Sequence, residues 1–182
     1  MNRTPKLIAL LALLAIPTLL ATGCGQSTPA DSSTAALYPL PAGFSFVASY
    51  GVGAKNVLDT VAGTFTKDMI LEPPVTTALR LTQAELEDLY ADLARMKILE
   101  YPSHYEPDAS DTGPTMFVTP HATYKLSIKT GDETVLDLVW EDSSLSAKPA
   151  AIALRDWFKK LRLTIEAKPE WKALPPAVGG YA

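Results

Sequence analysis

Cys24 is the only cysteine in the 182 residues, so no disulfide can staple this chain. Whatever it folds into must be held by a packed apolar core, and that takes length. The place of the cysteine narrows matters further. Arg3 and Lys6 give the chain a basic start, and the 14 residues from Leu7 to Leu20 then carry no charge. A bilayer-spanning helix needs about 20 apolar residues, and Pro17 interrupts this run. A basic start, a short apolar run and the small residues Ala21, Thr22 and Gly23 read together as a secretory signal.

Outside the cytoplasm a lone thiol has no internal partner and needs another use. The stretch Leu19-Leu20-Ala21-Thr22-Gly23-Cys24 resembles a bacterial lipobox, where a diacylglyceryl group is joined to the cysteine and the leader is cut off before it. That motif usually has Leu three residues before the cysteine. Here Ala21 holds the place, with Leu20 one residue further back. The resemblance implies a leader over 1–23, lipidation at Cys24, and an extracytoplasmic protein held to a bacterial membrane by lipid. Two acyl chains anchor stably where one does not, so the rest of the chain needs no membrane-binding surface of its own.

Loss of such a leader removes two of the 16 basic residues and takes the formal charge from −4 to −6. A mildly acidic domain is poorly suited to nucleic acid, whose phosphates favour basic partners. Residues 24–43 are rich in Ser, Thr, Ala, Pro and Gly and show no apolar period. They cannot bury enough surface to offset their ordering entropy, and read as a flexible tether. Residues 44–182 are enough for a single domain with an extended tail.

Within that domain, Phe44, Phe46, Ala48 and Tyr50 alternate with small residues and predict a strand. Gly51-Val52-Gly53 predicts a turn, and the Val- and Thr-rich run 57–69 a second strand, with Val57 and Phe65 on one face. Pro73 and Pro74 close that unit. Thr82-Gln83-Ala84-Glu85 has the form of a capping box, and Leu86, Leu89, Tyr90, Leu93 and Met96 recur at helical spacing behind it. Alternation resumes at 122–129 and 134–141 around Gly131-Asp132, which predicts a hairpin with one wet face. Pro149 opens a last helix with Ile152, Leu154, Trp157, Phe158, Leu161 and Ile165 as its apolar stripe. The expectation is an α+β fold: an antiparallel four-stranded sheet in ββαββα order, with two helices packed on one face.

Little in this pattern carries chemistry. His104, Glu106, Asp108 and Asp111 are candidate ligands for a divalent cation. An EF-hand register starting at Asp108 puts Thr119 where the bidentate Glu belongs, and no second His stands at zinc spacing. No Gly-x-Ser-x-Gly elbow occurs, and the glycines after Tyr50 lack the Gly-Lys-Ser/Thr of a phosphate loop. Asp59, Asp68, Glu141 and Asp142 are the carboxylates that a hydrolase would have to bring into one cleft. Trp140, Trp157, Phe158 and Trp171 lie on periodic apolar faces and read as core before they read as a ligand groove. No cofactor motif is present.

Tyr50-Gly51-Val52-Gly53-Ala54-Lys55-Asn56, Gly63-Thr64-Phe65-Thr66-Lys67-Asp68, Leu81-Thr82, Tyr101-Pro102, Leu174-Pro175 and Gly179-Gly180-Tyr181, taken with the lipobox, resemble a set of uncharacterised bacterial envelope lipoproteins. The resemblance spans about 44–181 and implies no catalytic residue or cofactor. An anchored, compact domain with no catalytic constellation reads as a non-catalytic binding module whose partner is an envelope protein, a peptide or a wall component. The alternative is an envelope hydrolase using acidic residues or the His104 loop.

Overall fold

The computed structural model describes residues 37–108 and 117–181. The leader over 1–23, Cys24, the first part of the tether, and Asp111 lie outside the described residues. The elements in chain order are β1 (Phe44–Tyr50), β2 (Asn56–Asp59), β3 (Thr64–Met69), β4 (Glu72–Ala78), α1 (Gln83–Arg95), β5 (Thr123–Thr130), β6 (Glu133–Glu141), α2 (Pro149–Ala167) and the short α3 (Pro169–Lys172). The six strands form one antiparallel sheet in the order β4-β3-β2-β1-β5-β6. None of the helices in the described residues is long and apolar enough to cross a membrane.

The expected four-stranded sheet in ββαββα order is therefore corrected to six strands in ββββαββαα order, the last helix being the short α3. Two readings failed, each for a physical reason. The run 57–69 is a hairpin, not one strand. Asp59 Oδ1 accepts the N–H groups of Val61 and Ala62, each at 2.9 Å, and Gly63 closes the turn at φ 66°. Thr60 carries on the ladder with its side chain: Oγ1 accepts from the Phe46 N–H and donates to the Phe46 carbonyl, both at 2.8 Å. The turn also changes parity. Leu58 pairs with Phe65 and Val57 with Thr66, so Leu58, not Val57, shares the buried face with Phe65. The second failure is Pro73-Pro74, which lie inside β4. Proline lacks a donor, but an outermost strand leaves some N–H positions unused.

The register lays out both faces of the sheet. One row crosses all six strands as Thr77, Phe65, Leu58, Ala48, Leu126 and Leu138. All but Thr77 are buried, and α1 and α2 cover this face. Leu89 and Leu93 of α1 and Leu154, Trp157, Phe158, Leu161 and Ile165 of α2 supply the opposing core. Ile152, expected in that stripe, is exposed, and Ala151 is buried in its stead. The capping box of α1 forms: Glu85 N–H donates to Thr82 Oγ1 at 3.2 Å, and Thr82 N–H to Glu85 Oε2 at 2.7 Å. Contacts between the helices run 157 to 89, 160 to 88 and 168 to 85, so they lie antiparallel.

The folded part starts slightly before Phe44. Leu40 packs against the core, and the Gly43 carbonyl accepts the Gly131 N–H at 3.0 Å. At the other end Trp171 and Leu174 pack on the core, and the tail bridges Ile70 at Val178.

Candidate functional site

The loop after α1 is laid against the outer edge of β6. Val139 N–H donates to the Ser103 carbonyl at 2.7 Å, and Tyr105 N–H to the Val139 carbonyl at 2.9 Å. This brings His104, Glu106 and Asp108 beside Glu141, Ser143 and Ser144 around a cavity of about 300 Å³. His104 Nε2 and Glu106 Oε1 lie 2.9 Å apart, both largely in solvent. Asp108 is tied to the segment ahead of α2. It accepts from Ser144 Oγ at 2.6 Å and Ser146 Oγ at 2.8 Å, with Lys148 Nζ at 3.7 Å. Its carboxylate thus organises the approach to α2. Among the described residues no three His, Cys, Asp or Glu side chains gather as a metal site. Burial, then the neighbouring Tyr101 and Asp108, push the Tyr105 phenol up to about 12, so it stays protonated against Trp140.

The four carboxylates proposed for a hydrolase are dispersed. Asp68 lies on β3 and Glu141 on β6, four strand spacings away, or on the order of 19 Å. Asp59 caps the β2–β3 turn. Asp68 accepts from Ile70 N–H and the Tyr181 hydroxyl. Asp142 is buried and gripped by Arg155. No cleft collects them. His121 lies just ahead of β5, with Nδ1 3.2 Å from the Val118 carbonyl. Trp140, Trp157 and Phe158 are core residues.

Two features escaped the sequence reading. The first is the extent of the uncovered sheet face. Its rows read Thr76, Thr66, Val57, Ser49, Lys125, Val139 and then Ala78, Thr64, Asp59, Val47, Ser127, Asp137. Alternation on β5 pointed to a wet face, but its extent depended on strand order. The second is a pocket of about 270 Å³ between the end of β1, the start of β5 and α2, rimmed by Arg155, Lys159 and Arg162. Those cations stand four and then three residues apart, a helical stripe visible in sequence, though nothing there showed a cavity beneath it. The chain matches no protein-family model and no curated protein.

Proposed function

We propose that this chain is a lipid-anchored, non-catalytic binding domain of a bacterial envelope, which meets a protein partner with the open face of its sheet. The uncovered face supports this reading. Two rows cross all six strands, and every side chain in them except Lys125 is short. Small molecules are held in concave sites, whereas a flat lattice of Ser, Thr, Val and Asp suits a macromolecular surface. The strand edges are less available. The middle of the β6 edge is taken by Ser103 and Tyr105, and β4 carries Pro73 and Pro74. The partner therefore meets the face.

Anchoring rests on Cys24 and its lipobox-like context, together with the likeness to envelope lipoproteins. Labelled palmitate should enter the wild-type chain and not Cys24→Ala; equal labelling of both removes the anchor. For the face, a photo-crosslinking residue at Ser127 is compared with one at Leu163, on the outer side of α2. Adducts with one discrete protein from Ser127 alone support the reading. Adducts from Leu163 alone, or from neither position, overturn it.

A further inference from the structure

The pocket under α2 has a built floor. Phe158 and Tyr50 are buried in it, and the Tyr124 ring lies 4.5 Å from that of Phe158. Its rim concentrates positive charge on a chain of formal charge −4. Two carboxylates answer these cations. Asp142 is fully engaged by Arg155 through Nε and Nη2. Glu166 reaches Arg162 only at Nη1, at 3.1 and 3.2 Å, which leaves Nε and Nη2 of Arg162 free among the described residues. Lys159 is exposed and has no partner among the described residues. The hydroxyls of Tyr50 and Tyr124 likewise bond to no described protein group. Burial raises the Tyr50 phenol first of all, with Glu166 adding to it, so this hydroxyl is a donor at any ordinary pH.

The geometry points to a binding site for a small cyclic anion: a flat ring on the Tyr50, Tyr124 and Phe158 floor, with its carboxylate or phosphate held by Lys159 and Arg162. About 270 Å³ lies just below the usual range of ligand pockets, which sets the ligand near the size of a single substituted ring. Arg162 presents a planar edge suited to an oxyanion, and Lys159 a compact charge beside it. Arg155 is a wall of the site, since Asp142 already holds its guanidinium. The site lies on the helix-covered side of the sheet, and the inference stands independently of the anchored-domain reading.

Calorimetric titration of the full chain at low salt with benzoate, phenyl phosphate, benzyl alcohol and inorganic phosphate tests this. One or both of the ring anions should bind, at least about tenfold more tightly than either benzyl alcohol, which lacks the charge-assisted hydrogen bonds, or inorganic phosphate, which lacks the ring. Lys159→Ala with Arg162→Gln should lower that affinity at least about tenfold, with an unchanged circular dichroism spectrum. Should the double variant misfold, Lys159→Ala alone, at an exposed position, should still weaken binding severalfold. Absence of heat for both ring anions up to about 20 mM, well above the millimolar affinity scale, overturns the site. So does equal binding of benzyl alcohol, equal binding of inorganic phosphate, or indifference to the Lys159 change.

Discussion

Arg155 grips Asp142 through two parallel hydrogen bonds, Nε to Oδ2 at 2.7 Å and Nη2 to Oδ1 at 2.8 Å. Asp142 is 2% exposed, directly after β6. Its own N–H donates to the Ala122 carbonyl, and Arg155 lies over the Trp140 ring. One ion pair thus ties the end of the β5–β6 hairpin to the first turns of α2.

Breaking this pair from one side leaves a carboxylate buried without its partner. Arg155→Met should destabilise the domain by about 3 kcal/mol. Asp142→Asn added to Arg155→Met should recover part of that, because no charge is then stranded. Urea unfolding of the single and double variants checks it; a double variant weaker than Arg155→Met alone contradicts the account.

Glu85 makes stability depend on pH. Burial raises its carboxyl, but hydrogen bonds from Lys168 Nζ and the Thr82 N–H outweigh this and hold it below the ordinary value. A lowered folded-state value means that this stability is present above the unfolded carboxylate pKa of about 4.3. It is lost as pH falls through the lower folded value. Glu85→Gln should therefore cost stability at pH 7 and very little once the pH is below the lowered folded value, where Glu85 is neutral in both states. A penalty that stays the same size as the pH is lowered from 7 argues against an ionic origin.

Trp157 and Leu89 join the two helices inside the core. The indole Nε1 donates to the Leu89 carbonyl at 3.0 Å, and Trp157 is 2% exposed. Trp157→Phe removes this bond and leaves unfilled volume. A loss of about 2 kcal/mol is expected by thermal or chemical unfolding.

Lys97, just past α1, holds φ 55° and ψ 49°, the left-handed conformation that favours glycine. Its ion pair with Glu100, at 3.5 Å, is exposed on both sides and contributes little. Lys97→Gly should raise stability by up to about 1 kcal/mol. A lower melting temperature would show that the side chain contributes more than its backbone strain costs.

Legibility in the sequence followed the range of the interaction. Thr82 and Glu85 lie three residues apart, and their reciprocal bonds form within one turn, so the start of α1 was readable. The turn at Gly131-Asp132 was readable for the same reason. The β2–β3 turn was not, since Val57–Met69 alternates through it and period two does not distinguish a long strand from a hairpin. Asp59 and Gly63 were the available signal, an Asp accepting from the turn and a glycine closing it. Pro73-Pro74 misled because proline's effect in a strand depends on whether that strand is outermost.

By itself the sequence determined that this chain must build a disulfide-free core, which segments alternate, and where α1 starts. Each of these is local, set by neighbours within a few residues. Only the tertiary structure decided that β1 pairs with β5 across the long excursion through β4 and α1, and so which residues form rows across the open face. It alone put Lys159 and Arg162 of α2 over Tyr50 of β1, more than a hundred residues away in the chain. Those placements depend on which apolar faces bury one another, and a periodic pattern names the faces without naming their partners.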